Sequence, residues 1–207
     1  MIGRHDPEGS FAGLGIRLKD EVAALSGYEV HSIRVGDVGE LRRAIREFSQ
    51  IKAIDTLVLA FHGYSNAFLF ASNDPLNQRN VRRELGDHGR FLARDARVLL
   101  YSCLTGHEDD NMAEDLALAF RREVQAPRYF WCMQTLVPPE SRIPELRLDR
   151  SGRLEIAEDR FGLYYKPRDE KGIRYLIGTK AMAPFCLEEG YVQRRTPSGG
   201  LFLRYRP

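Results

Sequence analysis

Arg97-Val98-Leu99-Leu100-Tyr101-Ser102-Cys103-Leu104-Thr105-Gly106 is an apolar run that stops abruptly at a polar tip carrying one cysteine. Upstream, Asp55-Thr56-Leu57-Val58-Leu59-Ala60-Phe61-His62-Gly63 has the same form and ends in a histidine and a glycine. Short apolar runs bounded by turn residues predict strands buried on both faces, the kind that fill a parallel sheet. The ends of such strands open into the crevice where ligands bind. His62 and Cys103 lie 41 residues apart, room for one crossover helix between neighbouring parallel strands. Two adjacent strands would then deliver an imidazole and a thiol to one sheet edge, as base and nucleophile.

The flanking pattern agrees. Ser10 can cap a helix whose face is Phe11, Leu14, Leu18, Val22 and Leu25, with Gly27 as its stop. Tyr28 to Val35 is rich in β-branched residues and reads as a strand. Asp37 with Glu40 is a capping box for a second helix, with Val38, Leu41, Ile45 and Phe48 facing inward. After the histidine strand, Ala67 to Ala71 reads as a hairpin arm, and Asn77 as the cap of a helix through Leu85, broken by Gly86 and Gly89. Behind the cysteine, Glu108, Asp109, Asp110, Glu114 and Asp115 mark a helix start with Met112, Leu116, Ala119 and Phe120 inward. Tyr129 to Gln134 is a further strand candidate. Beyond Val137-Pro138-Pro139 come short β pieces: a hairpin from Arg147 to Ile156, then 162–166, 173–177, 191–194 and 201–205. The expectation is one domain over 1–207, an α/β core at 1–137 with a mostly parallel sheet, and a β-rich part at 138–207.

Composition bounds the function. The chain is 43% hydrophobic and 29% charged, as a globular domain is, and its net charge of +2 gives no reason to expect a nucleic-acid partner. Three cysteines, odd in number and far apart, argue against a disulfide scaffold and for a reducing, cytoplasmic setting. The N-terminus lacks an apolar signal core. Thr56 to Asn73 has no charged residue, but its middle, His62-Gly63-Tyr64-Ser65-Asn66, is turn-like, so two short strands replace a membrane span.

A catalytic cysteine works as thiolate, and a nearby imidazole both favours that form and carries the proton. The oxyanion of an acyl intermediate needs backbone donors, and glycine lets the chain come close. Gly63 offers one such amide and Cys103 the second. Taken singly, a cysteine at a strand end is commonly a small buried hydrophobe and a histidine a packing residue. The joint pattern of strand-His-Gly, helix, strand-Ser-Cys-x-Thr-Gly, helix is what carries the reading. Asp109 and Asp110 could select a basic side chain, although helix capping explains them equally well. His107 lacks a second ligand pair at metal spacing, Cys132 sits in an apolar run, and Cys186 has no histidine beside it.

This arrangement resembles the caspase-like cysteine peptidases, the clan of caspases, metacaspases, clostripain, gingipains, separase and the bacterial CHAT proteases. Ser102-Cys103-Leu104-Thr105-Gly106 is similar to the Ala-Cys-x-Thr-Gly of CHAT-type members, with serine in place of alanine. It departs from the caspase pentapeptide and lacks the metacaspase Asp-x-Cys-His-Ser-Gly. The likeness covers 28–134 by topology. It implies a three-layer αβα sandwich and a thiol endopeptidase with a Cys-His dyad: Cys103 as nucleophile, His62 as general base and acid, Gly63 as oxyanion donor. It implies no cofactor or metal, a protein or peptide substrate and no membrane partner, and it leaves open an activating partner or ligand. Two other classes compete. A caspase-like interaction module without activity would be expected to lose one of the pair. An α/β-hydrolase-type esterase wants a Gly-x-Ser-x-Gly elbow, which the chain lacks.

Overall fold

Asp37 opens the longest helix, α1 (Val38–Ile51), as its sequence predicts: the Asp37 carboxylate accepts from the Glu40 amide at 2.7 Å. Glu40 reaches back, but to the Gly36 amide (2.8 Å) and the Arg4 guanidinium. Leu41 and Ile45 are fully buried, with Val38 and Phe48 packed beside them. The computed structural model describes residues 1–5, 27–72, 74–102, 105–106, 111–126 and 146–156. It also describes residues 20, 22, 24 and 25 and the strands at 163–168, 172–177, 191–195 and 201–205.

Seven strands of the described residues form one sheet: β1 (Ile2–Gly3), β2 (Arg34–Val35), β3 (Ile54–Ala60), β7 (Leu92–Tyr101), β8 (Glu123–Ala126), β11 (Leu163–Arg168) and β12 (Gly172–Ile177). Their order is β12-β11-β8-β7-β3-β1-β2. The five from β8 to β2 are mutually parallel, and β11 and β12 continue the sheet antiparallel. Taken in chain order the parallel strands lie 2-1-3-4-5, a doubly wound arrangement whose order reverses between β1 and β3. The β-rich C-terminal part is present as the hairpin β9 (Leu146–Leu148) and β10 (Leu154–Ile156), then β11, β12 and the pair β13 (Tyr191–Arg195) and β14 (Leu201–Tyr205).

One sheet face, carrying Leu57, Leu59, Val98, Leu100 and Val124, shares the main core with α1, α2 (Val81–Leu85) and α3 (Met112–Phe120). Alternation turns Arg97, Leu99 and Gln125 to the other face. There the β9–β10 hairpin is held: buried Arg97 pairs with Glu123 (3.0 Å), Asp149 (2.6 Å) and Glu155 (3.5 Å) and donates to the Leu154 carbonyl. Burial by itself would raise the Asp149 carboxyl. Hydrogen bonds from Ser151, the Arg153 amide and Arg97 outweigh it and hold the group well below the usual carboxylate range.

Several boundaries differ from the expectation. The strand expected over 28–35 is regular only at Arg34–Val35, where it meets β1. β1 has two residues, too short to show alternation. Asn77 caps a turn: its carboxamide accepts from Arg79 and its carbonyl from the Asn80 amide, so α2 starts at Val81. Gly86 and Gly89 do not end the helical path; they lie in a 3₁₀ helix, Gly86–Phe91, that leads into β7. Strand β8 falls at 123–126, ahead of the run from Tyr129 to Gln134, which lies outside the described residues. Of the first expected helix, Asp20, Val22 and Ala24 are helical and Gly27 has φ +101°; the remainder lies outside the described residues. Among the described residues no helix is long and apolar enough to cross a membrane.

Candidate active site

The two apolar runs end level. Register pairs Ala60 of β3 with Tyr101 of β7, so Phe61-His62 and Ser102 leave the sheet side by side at its C-terminal edge. Phe61 is fully buried and packs on Phe68 and Phe70; His62, the next residue, is half-buried. Ser102 is 1% exposed, and its Oγ accepts a hydrogen bond from the Phe61 amide at 3.2 Å. The residue before His62 is therefore bonded to the residue before Cys103. Cys103 itself lies outside the described residues, as do Leu104, His107, Asp109, Asp110, Cys132 and Cys186.

The far side of that loop is pinned too. Thr105, fully buried, donates its hydroxyl to the Ser102 carbonyl at 2.9 Å, and its own carbonyl accepts from the Ala113 amide at 3.0 Å. The Met112 amide donates to the Ser65 carbonyl at 2.7 Å, which ties the start of α3 to the turn just beyond Gly63. Asn111, also buried, caps α3 through the Ala113 and Glu114 amides. The acidic run upstream of it suggested the helix, but the cap is Asn111.

Gly63 lies in β4 (His62–Tyr64), which pairs antiparallel with β5 (Ala67–Leu69) across Ser65-Asn66. A two-residue turn makes Tyr64 and Ala67 a hydrogen-bonded pair, so alternation makes Gly63 and Phe68 a non-hydrogen-bonded one. The Gly63 N–H therefore points away from β5, at the outer edge of the sheet β4-β5-β6 (β6, Leu76–Asn77).

One contributor escaped the sequence reading. His5, just past β1, lies with its ring edge-on to His62, centroids 6.1 Å apart. The reversal of strand order between β1 and β3 brings the two together. Recognising Ile2–Gly3 as a strand would have found it. The edge thus holds an imidazole with a second imidazole beside it and an outward backbone amide. The loop that carries a thiol in the sequence is anchored on both flanks.

A cavity of about 160 Å³ lies elsewhere, by the start of β3, between Tyr28, Phe48, Ile51, Leu146 and Leu154. Its wall brings Glu29, His31, Ser32, Lys52, Asp55 and Thr56, and it lies at the other end of β3 from His62. Among the described residues no group of three or more His, Cys, Asp or Glu is placed to hold a metal ion. No curated protein and no solved structure matches the chain. Residues 35–143, more than half of the 207, match the family described as a domain of unknown function (DUF8616), and the chain belongs to that family.

Proposed function

We propose that the chain is a caspase-like cysteine endopeptidase that cleaves peptide bonds of protein or peptide substrates through an acyl-thioester on Cys103. The observation that carries the reading is the Phe61–Ser102 hydrogen bond, which joins the immediate neighbours of His62 and Cys103 at adjacent strand ends. Supporting it are the half-exposed His62, the outward Gly63 amide and the strand order of the parallel sheet.

In this mechanism His62 takes the Cys103 proton, and the thiolate attacks the scissile carbonyl carbon. The carbonyl oxygen becomes an oxyanion held by the Gly63 and Cys103 amides. As the C–N bond breaks, His62 gives its proton to the leaving amine. His62 then removes a proton from water, and the resulting hydroxide attacks the thioester. Collapse releases the acid, and the proton returns to the sulfur. Ser102, where CHAT-type members have alanine, accepts a hydrogen bond from the Phe61 amide through its Oγ, which holds the two loops at fixed spacing. Asp109 and Asp110, close behind Cys103 in sequence, are the candidates for binding a basic substrate side chain. The proposed setting is the cytoplasm, without a cofactor. A positional peptide library, run on the wild type and on Cys103→Ala, tests the proposal: cleavage confined to the wild type supports it, and cleavage by both or by neither contradicts it.

A further inference from the structure

We propose that Arg42, Arg46, Arg90 and His88 form a binding site for a phosphate group, free or carried by a small molecule. The site stands apart from the candidate active site and does not depend on the proposed peptidase activity. Arg42 and Arg46 are one turn apart on α1, so they share a stripe of that helix. His88 and Arg90 come from the 3₁₀ helix leading into β7. Both sit on the Phe91 ring, the His88 ring edge-on at 5.6 Å and the Arg90 guanidinium 4.9 Å from the centroid.

Two features of this cluster are unfavourable as the chain stands. His88 is only 4% exposed, and neither ring nitrogen has a hydrogen-bond partner among the described residues. The Arg42 Nε is likewise buried without one. Buried donors left unmade are costly, and native chains rarely keep several together. The cluster also gathers three guanidinium charges close enough to oppose protonation of His88, after burial the main cause of its lowered pKa; Asp87 acts the other way. The nearby Glu84 pairs one carboxylate oxygen with Arg42 Nη1 (3.2 Å) and the other with Arg83 (2.8 Å), and neither reaches Arg42 Nε.

A single group answers the charge and supplies acceptors for two of the orphaned nitrogens. An oxyanion accepts from the orphaned Arg42 Nε and a His88 N–H and neutralises Arg46 and Arg90. Guanidinium forks suit phosphate oxygens, which accept from several directions at once. With Arg42 already paired to Glu84, the charge left over is that of Arg46 and Arg90, which phosphate matches better than a monocarboxylate.

The test is titration of the full chain with inorganic phosphate at constant ionic strength, with sodium chloride and acetate as controls. Histidine-selective NMR follows His88 and a thermal melt follows stability. Expected are saturable movement of the His88 resonances, a rise in melting temperature and an upward shift of the His88 titration. Arg46→Ala and Arg90→Ala, both at exposed positions, should each weaken the effect by about tenfold or more. Phenyl phosphate binding more tightly than inorganic phosphate would assign an organic body to the ligand; equal binding would assign free phosphate. His88 resonances indifferent to phosphate, or moving equally in the Arg46→Ala/Arg90→Ala double variant, overturn the proposal.

Discussion

Ser102 is the residue on which the spacing of the candidate dyad depends. Ser102→Ala leaves the buried Phe61 amide without its acceptor, so a loss of about 1–3 kcal/mol in stability is expected from chemical denaturation. Turnover should fall in the same variant, because the Cys103 loop loses its link to the His62 loop. Cys103→Ala should abolish peptide cleavage, and His62→Ala should slow it by about 10²–10⁴-fold, the usual contribution of acid–base catalysis. Among the described residues the glycines with positive φ are Gly27 and Gly152, and Gly63 is not one of them. A tight-turn role is therefore not what requires glycine there. Gly63→Ala should keep the fold and slow cleavage by about 10²–10³-fold if its added methyl blocks the oxyanion. His88 titrates with the opposite bias from an exposed histidine. Burial and its arginine neighbours lower its pKa, so on acidification the unfolded chain takes up the proton first. In phosphate-free buffer, stability should fall as pH drops through about 6.5, and the fall should shrink in His88→Leu. An unchanged pH profile in that variant would remove His88 from the effect. Of these residues, the placement of His62 and Gly63 at a strand end was legible because together they close one apolar run. The Ser102 hydroxyl was not, since only the partner strand reveals what it bonds.

At the scale of elements, long or strongly patterned stretches were readable and short ones were not. Helix α1 announced itself through Asp37, Glu40 and its inward stripe, and β3, β7, α3 and the β9–β10 hairpin through apolar runs and turn residues. Strand β8 was hidden by Glu123 and Gln125, which are buried at 8% and 3% exposure. Alternation puts Arg97 and Gln125 on one face, and the Arg97 ion pair makes Glu123 tolerable in a strand. β1 was hidden by its length, yet its Gly3 is closely fitted: a Cβ there would come within 2.8 Å of the Phe61 ring. Gly3→Ala should therefore displace Phe61 and lower activity more than stability. The hairpin depends on Arg97. Arg97→Ala strands Glu123, Asp149 and Glu155 around a buried gap, and a loss of about 3–5 kcal/mol is expected. Asp149 adds a pH signature. Its folded pKa lies below the unfolded one, so its contribution is present above about pH 4 and lost as the pH falls further. Protection of the 146–156 amides from hydrogen exchange, compared at pH 7 and pH 3, reads that loss directly.

At the scale of the molecule, a sheet of parallel strands places polar side chains at its C-terminal edge, and the 2-1-3-4-5 order decides which of them meet. β3 and β7 are neighbours, so the ends bearing His62 and leading to Cys103 are adjacent; β1 lies on the other side of β3 and adds His5. The strand order could not be read from the sequence, because β1, which lies between β3 and β2, was not recognised, whereas the adjacency of the two apolar runs could. The central claim is that Cys103 is a thiol activated by His62, and competitive alkylation tests it most directly. The folded protein is treated near neutral pH with limiting iodoacetamide, and the three cysteines are compared by mass spectrometry of tryptic peptides. The account predicts that Cys103 is labelled first and that its rate falls in His62→Ala. Faster labelling of Cys132 or Cys186, or a Cys103 rate unchanged by the loss of His62, would contradict it.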